Sequence, residues 1–383
     1  MNERGDILVV GAGPVGTALA LGLERRGGAV TLLEARPAGG GDDARTLALS
    51  HGSRLLLERL GVWPLSPPAT PIMEINVTQR GGFGRVVLSA AEAAVPALGY
   101  VAEYGALQRA LGAALAASRV RVEAGCAVLE VGGDAHEARV TVSQGGVRRE
   151  MCGALVVVAD GGGALELAAV ERRDYAQSAL VCEVASEEPH RHRAFERFTA
   201  EGPLALLPNA RGWALVWTAT PERAAALAAL DEHAFCAQLR EAFGPALGAF
   251  SLCGARNVFP LQLKVAARLR TPRCVLIGNA AQTLHPVAGQ GFNLGLRDAH
   301  ELARLIAVHG VADAGVQRLL DAFFAKRRVD RTATIFFTDT LIRLFSNDIP
   351  QLAALRGLGL TALASLPAAR KFVARRMIFG ARG

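Results

Sequence analysis

The chain has 383 residues, of which 51% are hydrophobic and 20% charged, so it has enough apolar material for a large core and too little charge for a disordered protein. Its 42 lysines and arginines outnumber its 35 acidic residues, giving a net charge of +7, yet only 5% of its residues are aromatic. A basic stripe with interleaved aromatic rings, which is typical of nucleic-acid binding, is not found. The length predicts about two domains.

The sequence contains no apolar run of the roughly 18 residues that a membrane-spanning helix needs, and its first residues lead directly into a strand-like segment. We therefore expect neither a membrane span nor a secretion signal. The 6 cysteines are scattered, with no Cys-x-x-Cys pair and no histidine at zinc-ligand spacing, which predicts thiols in the cytoplasm and no metal site. The positive charge suits contact with the anionic inner face of the cytoplasmic membrane.

A glycine turn joins the first predicted strand, residues 6–10, to the first predicted helix. Gly11 permits a tight turn, Gly13 allows backbone N–H groups to approach a pyrophosphate, and Gly16 allows the helix to pack closely on the strand. Glu34 ends the next strand at about the 20-residue spacing at which such folds bind a ribose diol. Because a carboxylate repels a 2′-phosphate, this turn predicts a site for FAD or NAD and not for NADP.

The rest of the chain shows the pattern of an α/β protein with a second lobe over residues 178–269. Two further buried strands, 155–159 and 274–277, are each followed by a glycine-containing turn. The pattern also predicts helices over 42–60, 101–115 and 221–243, and a β-meander over 120–147.

Three segments, in this order, resemble the nucleotide motifs of the class A flavoprotein aromatic hydroxylases, the para-hydroxybenzoate hydroxylase type. They are Gly11–Gly16, Asp160–Gly161 and Gly278–Asp298, and the resemblance covers nearly the whole chain. Within this family the similarity is greatest to the ubiquinone-biosynthesis branch that hydroxylates 2-polyprenyl-6-methoxyphenol. The segments that carry this closer similarity are Asp43-Ala44-Arg45, Thr78-Gln79-Arg80, Gly202–Pro208 and Gly278–Pro286.

The resemblance implies an α/β fold in which a Rossmann-like FAD-binding domain carries an inserted β-sheet substrate domain and a helical C-terminal region. It assigns residues 1–70, 98–176 and 270–310 to the FAD-binding domain, 71–97 and 177–269 to the substrate domain, and 311–383 to the helical region. The last 34 or so residues have leucines at helical spacing and a basic end, which predicts either contact with lipid or a partner enzyme, or a helix packed on the fold.

The resemblance also implies an enzyme, an FAD-dependent monooxygenase that uses NAD(P)H and O₂ to hydroxylate the ring of 2-polyprenyl-6-methoxyphenol through a C4a-hydroperoxyflavin. In such chemistry the protein holds the ring close to the cofactor and excludes water. Its expected partners are the polyprenylated phenol, O₂ and a complex of quinone-biosynthesis enzymes. Three alternatives remain open: another ring position, a soluble aromatic substrate, and a flavin-binding scaffold without turnover.

By the same resemblance, FAD lies extended, with its adenosine end near Gly11–Glu34 and its ring near Asn279–Asn293. Asn279 stands where most of the family has aspartate. For Arg45 and Gln108 a purely structural role is the alternative. The residues assigned to FAD binding are Gly11, Gly13, Gly16, Glu34, Arg45, Gln108, Asp160, Gly161, Asn279, Gly289, Gln290, Gly291 and Asn293.

Two residues are candidates for a catalytic role. His285 is a possible general base, because an unperturbed histidine titrates near pH 6.5, with a structural histidine as the alternative. Pro286 bends the chain beside the flavin ring, and its carbonyl is expected near the substrate oxygen. Trp213 and Trp217 are on one face of a predicted strand, where they line either the substrate site or the core.

Overall fold

The computed structural model describes residues 7–37, 45–162, 169–267, 269–311, 313–347 and 349–381, and it confirms the expected mixed α/β fold class. The helices are α1 (Pro14–Glu24), α2 (His51–Arg59), α3 (Ala90–Ala93), α4 (Tyr104–Ala116), α5 (Pro221–Ala229), α6 (Glu232–Phe243), α7 (Gln290–His309), α8 (Gln317–Phe345), α9 (Pro350–Ser365) and α10 (Pro367–Phe379).

The strands of the described residues form four sheets. They are β1 (Ile7–Val10), β2 (Val30–Glu34), β3 (Thr46–Ser50), β4 (Thr70–Ile72), β5 (Glu74–Gln79), β6 (Arg85–Ser89), β7 (Gly99–Glu103), β8 (Arg121–Ala124), β9 (Cys126–Gly133), β10 (Ala138–Gln144), β11 (Val147–Gly153), β12 (Leu155–Val158), β13 (Val170–Ser186), β14 (Arg193–Phe198), β15 (Pro203–Asn209), β16 (Gly212–Ala219), β17 (Phe250–Leu252), β18 (Asn257–Ala266), β19 (Arg270–Thr271), β20 (Cys274–Leu276) and β21 (Gln282–Thr283).

A six-stranded sheet in the order β19-β20-β12-β1-β2-β8 forms the centre of the nucleotide-binding part. Every residue of β1, β12 and β20 is buried, as expected for parallel strands covered on both faces. Helices α1, α7 and α8 pack on one face, where Leu19, Leu302 and Phe323 meet Val9 and Val157. The other face is covered by the antiparallel meander β9-β10-β11, which was predicted from the sequence.

A nine-stranded sheet forms the second lobe, with the path β21-β18-β13-β16-β15-β14-β5-β6 and β17 paired to β13. On one face, Leu206, Leu215 and Trp217 pack against Phe235 and Leu239 of α6. Because side chains alternate along a strand, the neighbouring residues of β14, β15 and β16 point to the opposite face. That opposite face forms one wall of the large cavity described below.

Two predicted helices begin later than the sequence pattern indicated. The helix predicted over 42–60 is wrong at its start, because residues 46–50 form strand β3, paired antiparallel to β7. Helix α2 begins only at His51, where the Ser50 hydroxyl accepts a hydrogen bond from Ser53 N at 3.1 Å. Pairing with β3 also makes residues 99–103 a strand, so α4 starts at Tyr104. Residues 42–44 lie outside the described residues.

The helix predicted over 221–243 is two helices, α5 and α6. The break occurs at Leu230, whose backbone is extended, and the Asp231 carboxylate then caps α6 by accepting from Ala234 N at 2.8 Å. Both helices pack on the same face of the large sheet, where Leu227 and Phe235 share a core cluster with Trp217.

Helices α8, α9 and α10 form the C-terminal region. Within the described ranges, no single helix is long and apolar enough to cross a membrane; Gln351–Ser365 and Pro367–Phe379 meet that test only together, and they are bent by 98°. A buried ion cluster joins α8 to α7, with Arg297 Nε 2.8 Å from Asp330 Oδ2 and Arg327 Nε 2.6 Å from Asp298 Oδ1. Helices α9 and α10 pack on the second lobe, where Leu360 and Ile378 belong to one core cluster with Leu88 and Phe198.

Candidate functional site

One large cavity connects the nucleotide-binding part to the second lobe and the C-terminal helices. Its volume is about 1170 Å³, above the range of about 300 to 1,000 Å³ typical of small-ligand pockets. It is lined by the glycine turn after β1, the segment before α7, the face of β14–β16, and apolar residues of α8–α10. A cavity of this size can hold two ligands, or one ligand with an extended tail.

The glycine turn at one end of the cavity has the geometry that its sequence predicts. Gly11 has a φ of +99°, and a Cβ atom at Gly16 would lie 2.0 Å from the Gly11 carbonyl oxygen, so both positions require glycine. A Cβ at Gly13 would meet no described atom within 4 Å, which leaves open space at the start of α1. The positive end of the α1 dipole therefore faces open space, in which an anionic group can bind.

Glu34 lies at the end of β2, where its carboxylate accepts hydrogen bonds from Ala12 N at 2.8 Å and from Arg36 Nε at 2.9 Å. Burial opposes its charge, but the hydrogen bonds from Arg36 and Ala12 outweigh that effect and hold the pKa of Glu34 below its usual range. The side chain is thus ionised beside the glycine turn.

Arg45 and Asp160 both line the same end of the cavity. The Arg45 guanidinium lies 5.0 Å from the centre of the Tyr104 ring. Asp160 follows β12 and accepts a hydrogen bond from Gly162 N at 2.9 Å, while Gly161 has a φ of +83°. Residues 163–168, which follow Gly162, lie outside the described residues.

Gln108 is not brought to the cavity with the other predicted residues. It lies on α4, one turn after Tyr104, and its amide donates a hydrogen bond to the Tyr104 hydroxyl at 3.3 Å. This position supports Tyr104, which does line the cavity. Its predicted contact with FAD remains a prediction.

The segment before α7 forms the middle of the cavity wall, with Asn279, Gly289, Gln290 and Gly291 all lining it. Gly289 has a φ of +61° and is the residue before the first turn of α7. A Cβ at Gly291 would meet no described atom within 4 Å. A second helix N-terminus therefore faces the cavity, as predicted for the site of the flavin ring.

Asn293 lines the cavity together with the other predicted residues, but its side chain is hydrogen-bonded within the protein. Its Oδ1 accepts from Ser50 N at 2.9 Å and Ser53 Oγ at 2.7 Å, and its Nδ2 donates to Ala48 O at 3.0 Å and Gly289 O at 2.6 Å. These four bonds use the whole capacity of a primary amide. The side chain therefore fixes β3 against the start of α7 and has no hydrogen bond left for a cofactor.

His285 is 1% exposed, and its Nδ1 accepts a hydrogen bond from Val287 N at 3.1 Å. Its Nε2 has no partner among the described residues, and the ring lies edge-on to Tyr175 with 5.4 Å between centroids. Burial lowers the pKa of His285 to about 4, so the imidazole is neutral and a weak base at neutral pH. This geometry favours the structural alternative for His285.

Pro286 follows directly and lines the cavity. Its carbonyl already accepts a hydrogen bond from Gly289 N at 2.9 Å, which forms the tight turn before α7. One lone pair of that oxygen remains for a substrate.

The two tryptophans belong to the core and not to a substrate wall. Trp213 and Trp217 are 1% and 3% exposed and pack beneath α5 and α6, on the face of the sheet that points away from the cavity. Glu196 and Arg356 also line the cavity, although neither was predicted as a site residue. An acid at an inward position of an alternating strand was the available signal for Glu196.

Comparison with known proteins decides the family. Residues 4–337 match the family described as FAD binding domain, which is most of the chain. The chain belongs to this family. It is an FAD-dependent monooxygenase of the aromatic-hydroxylase class, as its resemblance implied.

Relatives within the family match along nearly their whole length. The ubiquinone hydroxylase UbiL of Rhodospirillum rubrum is 36% identical over 98% of this chain and 90% of its own. The 3-demethoxyubiquinol 3-hydroxylase of Escherichia coli is 34% identical over 94% of this chain and 95% of its own. The p-nitrophenol 4-monooxygenase PnpA of Pseudomonas putida shares the fold, with a TM-score of 0.79 at 18% identity over 100% of both chains.

The residues of this chain fit an extended dinucleotide. The open space at Gly13 and the start of α1 suit a pyrophosphate, and the ionised Glu34 beside them suits a ribose diol. The second helix start, at Gly289–Gly291, suits the electron-rich side of a flavin ring. Both lie on one continuous cavity, as FAD requires.

Proposed function

We propose that this flavoprotein hydroxylates the aromatic ring of a polyprenylated phenol, 2-polyprenyl-6-methoxyphenol or a near relative of it, in ubiquinone biosynthesis. NAD(P)H is the proposed reductant and O₂ the oxidant. Two of the relatives over the full chain are named for the hydroxylation of ubiquinone or a ubiquinol precursor, which supports this substrate class. The ring position that is hydroxylated is the most specific part of the proposal, because the names of these two relatives do not give the same position.

The observation that carries the proposal is the apolar mouth of the cavity. Leu344 of α8 and Leu355 of α9 both line the cavity, yet they are 37% and 60% exposed, so the cavity reaches the surface between these helices. Inside the mouth, Leu341, Leu352 and Leu363 continue the apolar lining. An isoprenoid tail can therefore lie from the surface to the interior without losing contact with apolar side chains.

Arg356 does not make this end of the cavity a carboxylate-binding site. Its Nε donates to Leu352 O at 3.0 Å and its Nη1 to Phe345 O at 3.2 Å, while Nη2 donates to the Asn347 side chain at 3.0 Å. A soluble aromatic acid would need a guanidinium aimed at the ring pocket. The apolar lining thus favours the lipid substrate over that alternative.

Bound FAD supplies the redox chemistry that activates O₂. The chain supplies the rest: the start of α1 holds the pyrophosphate, and the N–H groups at the start of α7 stabilise negative charge on the flavin ring. The walls of the large sheet and of α8–α10 orient the phenol ring and exclude water, which would otherwise divert reduced oxygen to hydrogen peroxide.

Contact with a membrane surface is part of the proposal. Large apolar side chains of α8–α10 are exposed, and two of them, Leu344 and Leu355, line the mouth of the cavity. Arg343, next to Leu344 in the chain, is exposed as well. A substrate with a long isoprenoid tail resides in the bilayer, so a mouth that opens on this face receives it directly. The exposed large apolar residues of α8–α10, and of the turn between α8 and α9, are Val329, Phe336, Leu344, Ile349, Leu355, Leu358, Leu366 and Phe372.

Purified FAD-loaded protein tests the proposal with 2-methoxyphenols that carry one to four isoprene units at the 6-position. We expect NAD(P)H-dependent hydroxylation in which kcat/KM rises with tail length, and NMR of the product gives the ring position. Soluble aromatic acids are the matched comparison. Faster turnover of these acids, or NAD(P)H oxidation that yields only hydrogen peroxide with every prenylphenol, would contradict the proposed function.

A further inference from the structure

Glu196 places a carboxyl group in the middle of an otherwise apolar wall. On β14 it is paired with Val77 of β5 and with Ala205 of β15. The same row of the sheet continues to Val86 on β6 and to Val216 on β16. All five side chains line the cavity, and Glu196 alone among them is polar.

The carboxyl group of Glu196 is not used by the protein itself. Within the described ranges it has no hydrogen bond and no ion pair, and its cavity-facing neighbours along β14 are Ala194 and Phe198. Glu196 is half-buried and faces the cavity, and a carboxylate on a wall of apolar side chains is costly. An acid at this position therefore points to a ligand that carries a hydrogen-bond donor.

The surroundings of Glu196 also set its protonation. Burial raises the pKa of Glu196 from 4.5 to about 7, and no neighbouring charge contributes to the shift. From the helices across the cavity, Arg356 is the charged group that lines it, and its guanidinium is held by backbone carbonyls. The other titratable groups that line the cavity are Glu34, Arg36, Arg45, Tyr104, Cys126, Asp160 and His285.

We propose that Glu196 is a catalytic residue, the base that accepts the hydroxyl proton of the phenol during ring hydroxylation. This role rests on the proposed function, in which the substrate is a phenol. It deepens that function because the ring becomes a far better nucleophile as its hydroxyl proton is withdrawn. His285 does not fit the role, since its Nδ1 accepts from Val287 N, which leaves the other ring nitrogen, Nε2, as the protonated one in the neutral imidazole.

The proton transfer balances over one turnover. As the ring bonds to an oxygen atom derived from O₂, the phenol O–H bond breaks, its electron pair forms a ring C=O, and Glu196 binds the proton. The ring C–H bond then breaks and its pair restores the aromatic ring, while the C=O oxygen takes the proton back from Glu196. The C–H proton leaves in water with the second oxygen atom of O₂, and NAD(P)H supplies the two electrons.

Infrared spectroscopy of the FAD-loaded protein tests the protonation of Glu196 without turnover. We expect a carboxylic C=O band that disappears as the pH rises through about 7 and that is absent from the Glu196→Gln variant. A carboxyl group at this position that is ionised throughout pH 5 to 8, or protonated throughout it, would overturn the proposal.

Single-turnover hydroxylation of 2-methoxy-6-prenylphenol tests the role itself. In the wild type we expect the rate to rise with pH through a value near 7. In Glu196→Gln we expect a rate about 100-fold lower, in the range of general-base catalysis, with this rise lost. Flavin reduction should change less than threefold. Glu196→Asp should keep the pH dependence, which a purely structural role would not require.

The methyl ether of the same probe is the matched control, because it has no hydroxyl proton. Wild type and Glu196→Gln should convert the ether equally slowly. A Glu196→Gln variant that hydroxylates the phenol at the wild-type rate and with the wild-type pH profile would refute the role of Glu196 while leaving the proposed function intact. A wild type that hydroxylates no prenylphenol would refute both.

Discussion

The two ends of the cavity are built in different ways. At the nucleotide end, backbone groups and glycines of contiguous segments make the site, and Glu34 is held there by short hydrogen bonds. At the substrate end, the wall is assembled from side chains of five strands of the large sheet and of three helices that are far apart in the sequence. The first end recognises a constant ligand, whereas the second can change its specificity by single side-chain substitutions.

The largest effect on ligand binding is expected from a substitution at the nucleotide end, where the backbone leaves no space for a side chain at Gly16. Gly16→Val places a side chain against the Gly11 carbonyl, which a Cβ would approach to 2.0 Å. Strand β1 and helix α1 must then separate, so we expect FAD binding to weaken more than about 100-fold, or more than about 2.7 kcal/mol. Flavin absorbance retained after gel filtration measures this loss.

Gly112→Ala is the matched control for this substitution, because a Cβ there meets no described atom within 4 Å on the surface of α4. It should bind FAD as the wild type does. A Gly16→Val protein that retained its flavin would show that the turn is not the cofactor site.

The second prediction concerns pH. Each end of the cavity has a carboxyl group, Glu34 or Glu196, and the pKa values of the two groups are shifted in opposite directions. The pKa of Glu34 is lowered, so its contribution to stability is present at neutral pH and is lost in acid. The pKa of Glu196 is raised from 4.5 to about 7, so the folded protein loses stability as the pH rises through this interval. The cost above pH 7 is at most about 3 kcal/mol, because Glu196 is half-buried and the solvent in the cavity screens its charge.

The Glu196→Gln variant should therefore lose less unfolding free energy than the wild type as the pH rises. Urea unfolding at a fixed excess of FAD, compared at pH 5 and pH 8, measures the difference in unfolding free energy. We expect the wild type to lose up to about 3 kcal/mol more than the variant between these pH values. Equal pH dependence in the two proteins would mean that Glu196 is solvated and not enclosed.

The third prediction concerns the mouth. Leu355→Glu places a charge where the cavity meets the surface, so we expect KM for a four-isoprene substrate to rise about tenfold, equivalent to about 1.4 kcal/mol, with little change for a one-isoprene substrate. Leu358→Glu is the control, because Leu358 is 58% exposed on the same helix and does not line the cavity. Equal effects of both variants in detergent solution would place the tail elsewhere.

The smallest expected effect is at the junction of the two ends. Ser50→Ala removes the hydroxyl that accepts from Ser53 N at 3.1 Å and caps α2. Loss of such a cap costs about 1 kcal/mol of unfolding free energy. Ser50 N still donates to Asn293, so cofactor affinity should be nearly unchanged. A large loss of FAD would show that the cap also holds the start of α7.

The nucleotide end could be predicted from the sequence because each of its features is local. Gly11, Gly13 and Gly16 act through backbone geometry within one turn, so their spacing is sufficient. Strand β3 could not be predicted, because its alanine and leucine residues favour a helix and only pairing with the distant β7 makes them a strand.

The substrate end could not be predicted because its features are not local in the sequence. Val77, Glu196 and Ala205 become neighbours only through strand register across the large sheet. The role of Asn293 was missed because its four hydrogen-bond partners include Ser50 and Ser53, more than two hundred residues earlier.

Arg356 holds the two helices at the mouth of the cavity in place. Its guanidinium donates hydrogen bonds to the carbonyls of Phe345 on α8 and Leu352 on α9. The mouth is thus fixed by hydrogen bonds to backbone carbonyls, whereas the wall behind it carries the carboxyl group of Glu196. Entry of the isoprenoid tail and proton transfer from the ring therefore depend on different residues, and substitutions can alter them separately.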